Sequence, residues 1–166
     1  MLIRSLLVIV LVGAGAAGGI ALHTALTTGD TVFAGKRPDY LGVKDGQLAR
    51  CKRSPNCVSS QADPGDAGHY IAPIAFKGSA LQAITEVRKA VDAMPRTLVV
   101  RHEENYLYAE FTSKLMGFVD DVEFTFDEKA GAIHVRSASR LGRRDFGVNR
   151  ARIEAVRAIV ERRVTT

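Results

Sequence analysis

The chain has 166 residues, 46% of them hydrophobic and 25% charged, and a net charge of +5. That length and balance suit one folded domain and exclude a low-complexity or repeat protein. The charge is uneven: residues 136–166 hold nine Arg against Asp145, Glu154 and Glu161, a surplus of six, whereas residues 1–135 stand at −1.

The chain opens with Arg4 and then a charge-free run over residues 5–22, SLLVIVLVGAGAAGGIAL. As a helix the run is about 27 Å long, just enough to cross a bilayer core. Residues 1–26 therefore read as a hydrophobic signal anchor, with Gly15 and Gly19 forming a small-residue stripe for helix packing. A signal peptide cleaved after Val32-Phe-Ala34 is the alternative, which leaves a soluble periplasmic protein. In both readings Arg4 stays inside and the domain is exported. The expected location is the cell inner membrane, with the N-terminus inside and the domain in the periplasm. Residues 27–47 lack periodicity and read as a linker to a globular domain over 48–166.

Cys51 and Cys57 bracket a loop whose Ser-Pro-Asn centre reads as a turn. In an oxidising compartment they form a structural disulfide. A redox or metal pair is the competing reading, but C-x5-C is not a usual zinc spacing and only four histidines are available. No metal or cofactor is expected. The turn-forming Asp63-Pro64-Gly65-Asp66 follows. Tyr70 to Phe76 reads as a first strand, interrupted by Pro73 and so placed at a sheet edge. Ser79 and Gln82 form a capping box for a helix whose buried face is Leu81, Ile84, Val87, Val91 and Met94, ended by Pro95.

Four strands are expected next, at about 97–102, 106–112, 119–127 and 132–140. Val122, Phe124 and Phe126 alternate with Asp121, Glu123 and Thr125, and Ile133 and Val135 alternate with His134 and Arg136. Glu128 to Gly131 is a four-residue hairpin loop, with Gly131 supplying positive φ. Pairing Asp127 with Ala132 sets Glu123 against Arg136 on the polar face, and sets Asp120 against Ser139 and Val122 against Ser137 on the apolar face. Asn149 reads as the N-cap of a last helix with Ile153, Val156, Val160 and Val164 as its buried stripe. The order β-α-β-β-β-β-α gives an α+β, two-layer fold: an antiparallel sheet of about five strands with two helices on one face, preceded by one N-terminal hydrophobic helix.

The polar residues of this last hairpin and helix are the candidate site. Asp120 and Asp121 point to opposite faces, so they cannot act as a carboxylate dyad. Asp121 is expected in solvent. Asp120, on the apolar side, needs partners, and Ser139, Arg140 or the backbone near Gly142 can supply them. A satisfied polar network is favoured over a general base. Residues 141–148 lead into a helix start flanked by Arg140, Arg143, Arg144 and Arg150, which reads as a phosphate or carboxylate site. In the competing reading Asp145 is the internal anion, folded onto Arg140 or Arg150 and the helix start. One linked cluster of Asp120, Ser139, Arg140, Asp145 and Asn149 is expected.

Ser137 and Ser139 lack a nucleophile elbow, and His134 faces away from them. The arginine-rich segment reads as a solvated helix face or as a surface for an anionic lipid or envelope ligand. Its lack of interleaved aromatics argues against nucleic acid. The function expected is membrane-anchored, non-enzymatic binding of an anionic partner. The alternative is an enzyme, possibly hydrolytic, using Asp120, Asp145 and Arg140.

Pro55-Asn-Cys-Val-Ser-Ser60, Glu110-Phe-Thr-Ser113, Phe118-Val-Asp-Asp-Val-Glu-Phe124, Val135-Arg-Ser-Ala-Ser-Arg140 and Asp145-Phe-Gly-Val-Asn-Arg150 together resemble the domain of unknown function 1499 family over about residues 48–162. The resemblance brings no catalytic residues. Its motif positions include Asn56, Cys57, Asp121, Arg136, Ser139, Arg140 and Gly142. Lys52-Arg53 departs from the Pro-Ser usual in the family and makes the cysteine loop more basic.

Overall fold

The computed structural model describes residues 33–164. The hydrophobic run at 5–22 and the two readings of it lie outside the described residues. Among the described residues no helix is long and apolar enough to cross a membrane.

The elements are β1 (Cys57–Ser59), β2 (Ile74–Ala75), α1 (Ala80–Asp92), β3 (Thr97–Glu103), β4 (Tyr106–Thr112), β5 (Val119–Asp127), β6 (Ala132–Ser139) and α2 (Val148–Val164). The strands form one antiparallel sheet in the order β1-β6-β5-β4-β3, and β2 also pairs with β6. Helices α1 and α2 pack on each other and on one face of this sheet, so the fold is the expected two-layer α+β arrangement. The β5–β6 hairpin has the expected register, with Asp127 opposite Ala132, Glu123 opposite Arg136 and Asp120 opposite Ser139. Gly131 closes its loop at φ 59°, a conformation that costs glycine little.

The helix-facing layer is a single apolar core. Leu107, Ala109 and Phe111 from β4 and Val122, Phe124 and Phe126 from β5 meet Ile133 and Val135 from β6. Ile84, Val87 and Val91 of α1 and Ile153, Val156 and Val160 of α2 cover them. Both arms of the Ser79–Gln82 capping box form.

Three apolar positions differ from the sequence pattern. Leu81 is 55% exposed, and Val164 is also exposed. In α1 the small residues Ala80, Ala83 and Ala90 occupy the buried stripe instead, which lets the helix sit close to the sheet. Met94 lies beyond the helix end and is only partly buried.

The first strand is also shorter than its apolar run implied. Only Ile74–Ala75 forms a strand, immediately after Pro73, which has no N–H to give to a ladder, while Tyr70 makes an isolated parallel bridge to Ser59. A three-residue strand, β1, forms instead from Cys57, where the cysteine loop closes, to Ser59, too short for alternation to reveal it.

Residues 37–47, expected as linker, lie with Leu48 along the other face of the sheet. Leu48 packs with Tyr106 and Tyr108, flanked by Leu41 and Val100. The Gly42 N–H donates to Glu123 at 2.8 Å, and Arg37 donates to Glu110 at 2.5 Å. The face that alternation marks as polar is therefore covered. Its charged residues are buried rather than solvated.

Candidate functional site

On the helix side, the end of the hairpin meets the start of α2. Arg152 Nη2 donates to Asp120 Oδ2 at 2.6 Å. Its Nη1 donates to Asn149 Oδ1 at 2.7 Å and to Ser137 Oγ at 3.1 Å. The guanidinium also lies 4.8 Å from the centre of the Phe111 ring, a cation–π distance. Asn149 is fully buried. Its amide donates to Ser139 Oγ at 3.0 Å and to the Asn56 carbonyl at 3.1 Å, and it accepts from Ser137 Oγ at 2.5 Å. Asn56 in turn donates to the Gly142 carbonyl at 2.8 Å. The network ties the cysteine loop, β6 and α2 together with every named side chain partnered.

Asn149 is thus not the N-cap of α2. The helix begins at Val148 after Gly147, and the capping carboxylate comes from Asp145, which accepts from the Asn149 N–H at 2.9 Å and the Gly147 N–H at 3.2 Å. Asp145 is the internal anion of the helix start, but it caps the backbone and takes neither Arg140 nor Arg150. Arg150 donates instead to the carbonyls of Ala67 and Tyr70, pinning the turn before β2.

Arg140 leaves the expected cluster for the opposite face, because it neighbours Ser139 in an extended chain and successive side chains alternate. There it donates to both oxygens of Asp121, with Nη2 2.7 Å from Oδ1 and Nε 3.0 Å from Oδ2. It also donates to Glu110. Tyr108 OH donates to Asp121 at 2.5 Å. Asp121, expected in solvent, is only 2% exposed. Next to this group, Arg136 Nη1 donates to Glu123 Oε2 at 3.1 Å, with side chains 3% and 0% exposed. Tyr106 OH donates to Glu123 Oε1 at 2.8 Å. Three arginines, 37, 136 and 140, therefore face three carboxylates, 110, 121 and 123.

Ionisation on this face follows from burial and pairing. Burial, then the neighbouring carboxylates, push the phenols of Tyr106 and Tyr108 above their ordinary range. Burial also works to raise Glu110, but hydrogen bonds from Arg37, Arg140 and Tyr108 outweigh it and hold the carboxyl below its ordinary value. Burial opposes the charge on Arg140, and Asp121 and Glu110 more than restore it.

A cleft of about 260 Å³ opens over this face, between residues 36–40, the cysteine loop and the end of β6. Asp121, Arg136 and Arg140 are its buried or half-buried charged lining, Asn56 and Ser139 add polar groups, and its exposed charges are Lys36, Arg37, Asp39 and Lys52. Arg136 Nε is buried and has no hydrogen-bond partner among the described residues. The ring of Tyr40, itself half exposed, is centred 6.0 Å from the Arg136 guanidinium carbon. A larger open groove of about 890 Å³ lies beside Tyr40. Its acidic and basic side chains, Lys44, Asp45, Arg50, Lys52, Arg53, Asp63 and Asp66, are all exposed, and His69, which is half-buried, is already paired with Asp66.

Sequence reasoning placed Glu123 against Arg136 and Asp120 beside Ser139, and both hold. Cys51 and Cys57 are joined as a disulfide, with Cα atoms 5.6 Å apart. The residues it missed as partners are Arg152, Arg37, Tyr106, Tyr108 and Glu110. Arg152 was within reach, since it lies three residues after Asn149 and so on the same helix face. Tyr106, Tyr108 and Glu110 alternate along β4 as one polar face. Arg37 gave no local signal. Among the described residues no group of His, Cys, Asp or Glu is arranged to hold a metal ion.

These features define a two-layer α+β domain with a buried polar network on each side of its central hairpin. The sequence matches the family described as Protein of unknown function (DUF1499) over residues 47–160, and the chain belongs to that family. The matched span includes the cysteine loop, the whole hairpin and the Asp145–Arg150 motif. No curated protein matches the chain significantly.

Proposed function

We propose that this chain is an exported domain tethered to the inner membrane by residues 5–22, and that it binds an anionic group without catalysing a reaction. The ligand group is a phosphate or carboxylate, carried by a lipid head group or another envelope component. The observation that carries the reading is that Arg136, whose buried Nε–H has no partner among the described residues, lines a cleft whose exposed edge holds Lys36 and Lys52 against the single acid Asp39. A buried donor left unmet costs about 1–3 kcal/mol, a cost that an incoming acceptor would relieve. Tyr40 would turn aside to admit it.

Binding is favoured over hydrolysis because Asp121, the buried carboxylate of the cleft, already accepts from Arg140 on both oxygens and from Tyr108 on one, and the other carboxylate there, Asp39, is exposed. A general base needs a free lone pair facing its substrate. Asp120 is engaged by Arg152, and Asp145 by backbone amides. The charge-free run and the disulfide support the tether and the exported location.

The test titrates the full chain, solubilised in neutral detergent, with glycerol phosphate, acetate and short-chain phosphatidylglycerol. Saturable binding that weakens in Lys52→Ala and at high salt is expected. Binding of the lipid alone would identify a head group as the source, and binding of glycerol phosphate a soluble component. Failure of all three anions to bind contradicts the reading.

A further inference from the structure

A different end of the domain surface carries a second feature. Three segments converge where β4 turns into β5. The Phe33 ring lies 5.2 Å from that of Phe118. The Arg140 N–H donates to the Val119 carbonyl at 3.2 Å. Gly35 sits so close to Leu141 that an added Cβ would lie 3.1 Å from its Cγ. Residues 33–35, 113–118 and 140–148 thus share one end of the sheet.

This end is apolar and basic. Leu115 is 92% exposed and Phe146 93% exposed, and Met116, Leu141 and Val148 in the same two segments are exposed as well. Phe146 also holds φ at 53°, a conformation that bulky L side chains rarely adopt. A core gains nothing from either its ring or its strain. Between residues 113–118 and 140–148 the exposed charges are Lys114, Arg143 and Arg144, and the sole acid, Asp145, is engaged at the helix start. Clustered exposed apolar side chains flanked by cations are the chemistry of a surface that enters the head-group layer of an anionic bilayer.

The position of the chain entry selects that occupant. The described residues begin at Phe33, on this same end. Ten residues of chain, 23–32, separate Leu22, the last residue of the apolar run, from Phe33. We infer that Leu115 and Phe146 insert into the surface of the membrane that holds residues 5–22, with Lys114, Arg143 and Arg144 on its anionic head groups. The inference rests on the proposed tether and not on the Arg136 cleft.

The chain contains no Trp, so a single introduced indole reports its own surroundings. Full-length Phe146→Trp, Leu115→Trp and Leu81→Trp variants would be incorporated into nanodiscs of brominated phosphatidylglycerol and phosphatidylcholine. Leu81 is the control: it is exposed, and α1 begins just after Phe76, which donates to Gly131 in the hairpin loop at the far end of the sheet. The two rim indoles are expected to lose most of their emission to bromine while Leu81→Trp keeps its own. Arg143→Glu with Arg144→Glu, added to Phe146→Trp, is expected to restore emission. Rim indoles quenched no more than Leu81→Trp in chains that do enter the discs overturn the docking and leave the tether. Chains that do not enter the discs overturn both. Indoles shielded from water but not quenched by bromine, in discs holding two copies, would show a second copy of the chain on this surface and overturn the proposal.

Discussion

The two sides of the β5–β6 hairpin solve one problem in different ways. On the helix side a single ion pair, Asp120–Arg152, is set among neutral hydroxyls and amides that satisfy one another. On the outer side Arg136 and Arg140 are packed with Glu110, Asp121, Glu123 and two tyrosines beneath residues 37–48, from which the half-exposed Arg37 adds a third guanidinium. The first arrangement is closed and joins elements that must meet for the fold to form. The second is more expensive to desolvate, keeps a donor without a partner, and borders a cleft. In the proposed reading the outer face holds its charge for an incoming ligand, whereas the closed amide network serves the fold alone.

If that contrast is right, the outer face should be the more fragile. Glu123→Ala leaves the buried guanidinium of Arg136 without a counter-charge and takes acceptors from Tyr106 OH and the Gly42 N–H. Destabilisation of about 4 kcal/mol is expected in urea unfolding, at the scale of a broken buried pair. Asp120→Ala should cost less, about 3 kcal/mol. Arg152 keeps Asn149, Ser137 and the Phe111 ring. An Asp120→Ala loss exceeding that of Glu123→Ala would reverse the comparison.

The smallest effect belongs to a pair outside both networks. His69 Nδ1 lies 2.7 Å from Asp66 Oδ2, and this hydrogen bond raises the histidine above its ordinary 6.5 and lowers the carboxyl below its ordinary 3.8. A raised histidine contributes stability that is fully present below its unfolded value and disappears as pH rises through the folded value. The lowered carboxyl contributes above its unfolded value, and that part is lost as pH falls through the folded one. The pair therefore stabilises from the acid limb of Asp66 up to the raised pKa of His69. His134 has the opposite slope near neutrality, because burial lowers it. The difference in Tm between wild type and Asp66→Asn isolates the first pair, and it should shrink as pH rises above 6.5. A constant difference across that range would contradict the assignment.

How much of this was legible in the sequence follows the same division. Alternation over 119–127 and 132–139, with Gly131 to close the loop, set the hairpin register to the residue, and so paired Glu123 with Arg136 by local pattern alone. Ser79 and Gln82 marked the start of α1 because a capping box is local. What stayed hidden was what covers the polar face. The Glu110 and Glu123 partners in the covering segment are Arg37 and Gly42, 73 and 81 residues away, in a stretch without periodicity. Alternation separates two faces but does not say whether the polar one meets water, so Asp121 read as solvated when it is buried. The same limit sent Arg140 to the wrong cluster: chain adjacency to Ser139 suggested proximity, while the strand pleat put the two on opposite sides.

The central claim is that Arg136 Nε is the donor for an anionic ligand. Its most direct test follows the Arg136 Nε–H resonance of the full chain by NMR as glycerol phosphate is added. A hydrogen bond to phosphate should shift that resonance saturably, in step with Tyr40 and ahead of surface amides, and the shift should need a higher concentration in Lys52→Ala. An Arg136 Nε–H that stays fixed while only exposed lysines and amides respond would contradict the account.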